Sequence, residues 1–206
     1  MNYPVDKSYY NLNEELSSKK DAKTFKATCS IDSSEVVVKI INLTTTLDKT
    51  PMKIPHPQIL NHLTKFAVQE EGALYSYVVM PFIREGSVAK ELTSINGGLN
   101  ETCVAIIIKE VIKAVEVLHT QGYHHGGIKP GNVFLDIETK PCSVKLSSSF
   151  CRKITRSTEY WQALETFLPS ATIDQGEDIW LLGIIALEMV YGYPPVVNCK
   201  DPSFDR

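Results

Sequence analysis

The stretch YHHGGIKPGNVFLD, residues 123–136, sets an imidazole, an ammonium and an amide (His125, Lys129 and Asn132) at the offsets of a phosphoryl-transfer loop. Such a loop uses a carboxylate to accept the proton of the attacking hydroxyl, but here Gly126 and Gly127 follow the histidine. Loss of a general base costs on the order of 10²–10⁴ in rate. His124 is the nearest substitute, but it stands upstream of the loop and would have to swing past the backbone to reach hydrogen-bond distance. The stretch therefore has the frame of a catalytic loop without its base.

A loop of this kind needs rigid elements on both sides. The segment NETCVAIIIKEVIKAVEVLHTQG places Val104, Ile108, Val111, Val115 and Leu118 on one helical stripe, with Asn100 as N-cap and Gly122 at the stop. Downstream, IWLLGIIALEMVYGYPPVV, residues 179–197, is long and apolar, but Glu188 interrupts it and Gly192, Pro194 and Pro195 end its helix. It falls short of the ~20 residues that a membrane span requires, so it reads as a buried central helix over 179–191. Upstream of about residue 80 the chain is of β type, with TFKATCS, EVVVKIINL and ALYSYVVM separated by the polar turns IDSS and QEEG. The expected architecture is one α+β domain over 1–206: a β-rich part over 1–80, a connector over 81–86 and a helical part over 87–206.

Composition narrows the function class. The 206 residues carry a net charge of −3 and no Lys/Arg run longer than Lys19-Lys20, which argues against a nucleic-acid groove or a polybasic membrane patch. Cys29, Cys103, Cys142, Cys151 and Cys199 are scattered and form no CxxC pair, as suits thiols in a reducing compartment. The amino terminus MNYPVDKSYY has no apolar core of a signal peptide, so a cytoplasmic protein with unmodified sequons at Asn42 and Asn100 is expected.

Six motifs in order carry a family resemblance across nearly the whole chain. EVVVKIINL, VVMPFI, the helix running into YHHGGIKPGNVFLD, VKLSSSF, WQALE and DIWLLGIIALEM resemble the protein-kinase family. VVMPF and the Gly86-Ser87 turn after it resemble its Sterile-20/germinal-centre serine/threonine branch. The resemblance implies a bilobal kinase-like fold whose helical lobe is truncated after the central helix. It places Gly127 at the catalytic base, Gly126 at the arginine that receives an activation-segment phosphate, and Ser148 at the metal-binding aspartate. Nucleotide-pocket positions fall at Lys39, Val37 (roof), Met80 (gatekeeper), Pro81 to Ile83 (hinge), Lys129, Asn132 and Phe134 (floor). His125 and Asp178 are implied to brace the loop, and Glu165 to lack its arginine partner. Ser17, Lys19 and Ala22 stand where the phosphate loop has glycines. TTTLDKTPMKIP, residues 44–55, is too short and proline-broken for the helix that carries the clamp glutamate. Thr155, Ser157 and Thr158 are then surface hydroxyls with no arginine to order them when phosphorylated.

With base, metal ligand, phosphate loop and clamp missing together, the expectation is a catalytically inactive pseudokinase. It would hold no ATP and no Mg²⁺ as cofactor, and would act as a scaffold or allosteric partner of another protein such as an active kinase. Bulkier Val37 and Phe134 also narrow the nucleoside pocket. Apolar groups on all sides of residues 179–191 imply a homodimer, a partner-dependent subunit or a poorly soluble chain. A noncanonical ATP-dependent kinase using Lys39, Lys129 and Asn132, and a degenerate product without a selected role, stay open as alternatives.

Overall fold

The computed structural model describes residues 3–45, 53–95, 97–138, 142–148, 163 and 175–193. Contacts divide the chain into two compact units: residues 1–55 with 60–82, and residues 56–59 with 83–206.

The first unit is a five-stranded antiparallel sheet. Its strands are β1 (Tyr10–Lys19), β2 (Ala22–Cys29), β3 (Glu35–Asn42), β5 (Thr64–Glu70) and β6 (Ala73–Pro81), in the order β1-β2-β3-β6-β5. The turns are locally encoded. Glu71 and Gly72 both take left-handed backbone (φ 47° and 81°) between β5 and β6, the two-residue hairpin geometry that matches strand twist. Between β2 and β3, Asp32 Oδ1 accepts from the Ser34 N–H at 3.0 Å, while the Cys29 N–H donates to the Ser34 carbonyl at 2.9 Å. Alternation then sorts side chains to two faces. Ala27, Cys29, Val36, Val38 and Val79 pack on one face with Tyr10 and Tyr77, whose rings stack on either side of Phe66. The Tyr10 hydroxyl donates to the Pro4 carbonyl at 2.6 Å, and burial pushes its pKa up to about 12. The opposite face carries Ile41, Val78 and Met80, with Ala22, Val37 and Leu43 packed against them.

The second unit contains α1 (Val88–Ile95), α2 (Glu101–Thr120) and α3 (Gln175–Tyr191). A small sheet, in the order β4-β8-β7, is formed by β4 (Ile59–Leu60), of which Ile59 belongs to this unit, with β7 (Val133–Asp136) and β8 (Ser143–Ser147). Residues 56–59 precede most of the helical chain but are bonded into it. The Leu146 N–H donates to the Gln58 carbonyl at 2.7 Å, and Gln58 Nε2 to Glu110 Oε2 at 2.9 Å. Asn100 caps α2, its Oδ1 accepting from the Cys103 N–H at 2.9 Å, and Gly122 ends the turn beyond it with φ 75°. The buried face of α2 is Val104, Ile107, Val111, Ala114, Val115 and Leu118, so Ile107 replaces Ile108 as the core position of that turn. Ile108 is only half-buried.

Helix α3 starts four residues before the sequence pattern implied and buries one side only. Leu181, Leu182, Ile185 and Met189 are buried, whereas Ile179 (60% exposed), Trp180, Leu187, Val190 and Tyr191 face outward. The central helix expected from the sequence is thus buried along one stripe, where among the described elements it packs against α2, and leaves apolar side chains outside that stripe exposed. Its C-terminus docks main chain to main chain, the Leu99 N–H donating to the Met189 carbonyl at 2.6 Å. A Cβ on Gly98 would strike the Val190 carbonyl, so glycine is required there. No helix among the described residues is long and apolar enough to cross a membrane.

Candidate functional site

In the second unit, the loop between α2 and β7 is held by a buried carboxylate. Asp178, in the first turn of α3, is fully buried and accepts from the His125 N–H (Oδ2, 2.7 Å), the Gly126 N–H (Oδ1, 2.8 Å) and the His119 ring Nε2–H (Oδ2, 2.9 Å). A helix N-terminus favours negative charge, and a carboxylate accepting several N–H bonds is the best-solvated form a buried acid can have. His119 is itself placed by its position in the last turn of α2 and by Gln175, whose Nε2 donates to the His119 carbonyl at 2.9 Å.

The loop is further fixed by two of its own side chains. His125 is 1% exposed, and its Nε2–H donates to the Ser147 carbonyl at 2.7 Å at the end of β8. Burial pushes its pKa down, opposed by the bond to Ser147 and the nearby Asp178 charge, so the ring is a neutral strut. Asn132, also buried, donates from Nδ2 to the Gly127 carbonyl at 2.6 Å. Asp178, His125, Gly126, Gly127 and Asn132 therefore form one connected frame. Gly126 takes φ 61° in that frame, a left-handed conformation that costs a residue with a Cβ ~1–2 kcal/mol.

The groups available for chemistry around this frame are few. Gly127 contributes only a carbonyl oxygen, and His124 is buried. Ser148 follows β8 and is 2% exposed, a hydroxyl enclosed by protein. Lys129 and Phe134 are half-buried; Phe134 sits in β7 opposite Lys145, and bridges to Ser87 on its other side. Ile83 opens the longer stretch of the second unit and is half-buried. Among the described residues, no group of three or more His, Cys, Asp or Glu side chains could hold a metal ion.

In the first unit, Val37 and Met80 are direct cross-strand neighbours in β3 and β6, and Lys39 lies opposite Val78 on β6 and Thr24 on β2. Lys39 is half-buried on the face that carries Ile41 and Val78. The positions aligned with the phosphate loop, Ser17 and Lys19 of β1 and Ala22 of β2, form the end of a hairpin in which Ser17 pairs with Thr24 and Lys19 with Ala22. Lys26 of β2 lies over the Phe82 ring at 4.5 Å and pairs with Glu35 at 2.5 Å. Residues 46–52 of the TTTLDKTPMKIP segment, Ser149, Phe150, Thr155, Ser157, Thr158 and Glu165 lie outside the described residues. Sequence reasoning missed His119, Ser147 and Gln175; the only local signal was a histidine in the last turn of an amphipathic helix.

A family profile described as Protein kinase domain matches residues 10–204. The chain is similar to Germinal center kinase 3 of Caenorhabditis elegans, with 30% identity over 233 residues, covering 94% of this chain and 38% of that protein. It is also similar to Serine/threonine-protein kinase PAK 1 of Mus musculus, with 35% identity over 158 residues, covering 69% of this chain and 26% of the relative. Serine/threonine-protein kinase CLA4 of Candida albicans shares 31% identity over 153 residues, covering 69% of this chain and 15% of the relative. The chain thus spans well under half the length of each of these relatives.

Proposed function

We propose that this chain, which belongs to the protein kinase domain family and resembles its Sterile-20 branch, binds another signalling protein rather than phosphorylating it. One observation carries the reading: the loop frame is complete while its chemical groups are absent. Asp178 and Asn132 hold the backbone of residues 125–127, yet the base position is Gly127 and the position aligned with the metal aspartate is the enclosed Ser148 hydroxyl. Phosphoryl transfer relies on positioning and charge stabilisation, so a frame without carboxylates at the base and metal positions retains shape and loses rate.

Magnesium and ATP fit these residues poorly. A hard cation needs anionic oxygen, and here it would find one neutral amide oxygen, that of Asn132, and a buried hydroxyl. The hairpin at Ser17, Lys19 and Ala22 has no glycine to bring backbone N–H groups onto a triphosphate. Nucleotide-independent binding to a protein partner, with an active kinase as the leading class, follows as the role, and the cytoplasm as its place. A scaffold of this kind shifts its partner only by its difference in affinity for the partner's two conformations.

The test pairs a thermal-shift titration of ATP, with and without Mg²⁺, with a phosphotransfer assay on the same purified protein. The expected result is no shift and no turnover. Saturable binding at micromolar nucleotide, which corresponds to about −8 kcal/mol, or turnover abolished by Lys39→Ala, would overturn the reading in favour of a noncanonical kinase.

A further inference from the structure

His62 lies between β4 and β5 in the β-rich unit, and it is only 8% exposed. Its Nδ1 is buried without a hydrogen-bond partner among the described residues. The segment around it is tied down on both sides. Asn61 closes a pair of bonds on buried Ile54, Nδ2 donating to the carbonyl at 2.7 Å and Oδ1 accepting from the N–H at 2.7 Å. The Leu63 N–H donates to the Val79 carbonyl at 2.7 Å. The charged groups that bear on the ring are Lys65 of β5 and Lys53 of the chain before β4, and both are cations.

Neutral imidazole suits such a place, because the bare Nδ1 lone pair is a weak buried acceptor. A proton on Nδ1 would create an N–H with no acceptor and a third positive charge beside two ammonium groups, each costly in a buried setting. We propose that His62 is an acid-sensitive switch of the β-rich unit: neutral, it packs with the Asn61–Ile54 clamp closed, and protonated, it drives that clamp and the adjoining Leu63–Val79 bond open. The inference does not depend on the non-catalytic reading of the kinase-like loop.

The direction of the pH dependence follows from the environment. Burial, then Lys65 and Lys53, hold the ring's pKa below its ordinary value of 6.5. The open segment therefore binds more protons than the closed one below that pH. Closure is fully favoured above pH ~6.5 and weakens as pH falls toward the lowered value, by up to about tenfold in the closed-to-open ratio per pH unit.

The experiment follows the full chain by NMR from pH 8 to 5. It combines titration of the imidazole C–H, assigned with His62→Leu, with hydrogen exchange of the Leu63 amide and the amides of β5, corrected for intrinsic rates. His125 is also buried with a lowered pKa, but it lies in the other unit, so a local readout separates the two. The expected result is a His62 ring that titrates below its ordinary value and Leu63 protection falling up to about tenfold per pH unit, with that fall abolished in His62→Leu. His62→Phe serves as a second apolar replacement if the leucine variant folds poorly. A ring titrating at or above its ordinary value, or the same loss of Leu63 protection in the apolar variants, would overturn the proposal.

Discussion

Replacing Asp178 by asparagine tests the frame most directly, because it keeps the shape of the side chain and changes only charge and donor pattern. The carboxylate accepts three N–H groups, two on Oδ2 and one on Oδ1, and is fully buried. Asparagine has one acceptor oxygen, so at least the Gly126 N–H would meet an NH₂ group instead of an oxygen. Hydrogen bonds to a charged group contribute ~1.5–3 kcal/mol each and neutral ones about half that. One bond is lost and two are weakened, which together amounts to roughly 3–6 kcal/mol. Removing a buried charge returns part of this as relieved desolvation, leaving a net loss of about 2–4 kcal/mol. Urea unfolding followed by far-UV circular dichroism measures the change, and hydrogen exchange at the His125 and Gly126 amides localises it. A loss below about 1 kcal/mol with those two amides still protected would refute the clamp, since unpaired buried donors each cost at least that much.

Gly126→Ala should destabilise by ~1–2 kcal/mol, because φ 61° disfavours a Cβ; an unchanged urea midpoint would show that the loop relaxes out of the left-handed region. The double variant Gly127→Asp/Ser148→Asp should remain without phosphotransferase activity, because the hairpin at Ser17, Lys19 and Ala22 still cannot position a triphosphate and positioning carries much of the barrier reduction. Its Ser148→Asp half should also lower stability, since a carboxylate would enter a site only 2% exposed. Robust radiolabel transfer by that variant, or unaltered melting of Ser148→Asp alone, would contradict these expectations.

What could be read from the sequence was what local spacing determines. Asn100, the stripe of α2 and Gly122 are written within one helix, and the helix forms with that cap and that stop. The error at Ile107 and Ile108 arises because both flank a 3.6-residue stripe, and the choice between them depends on where neighbouring elements lie. Strand β1 was weakly marked because most of its side chains are exposed and its alternation breaks twice, between Leu12 and Glu14 and between Glu15 and Ser17. Its place as an edge strand comes from pairing with β2, a relation between residues up to 19 apart in sequence such as Tyr10 and Cys29. The His119–Asp178 bond joins residues 59 apart, and no local pattern marks such a pair. The same applies to His62, whose Nδ1 lacks a hydrogen-bond partner among the described residues, a property that no local pattern marks.

At positions 126 and 127, where the family's arginine and base would stand, the frame uses only main-chain atoms. Asp178 takes the Gly126 N–H and Asn132 donates to the Gly127 carbonyl. Those bonds use main-chain atoms that any residue supplies, so the loop keeps its bonding pattern with glycine at both positions. Gly126 goes further, since its left-handed backbone is one that glycine adopts freely and arginine adopts at a cost. The groups that do need their side chains, His125, Asn132 and Asp178, are the ones present. The shape of the loop thus rests on atoms other than those a base at position 127 would supply, so the frame holds with glycine there.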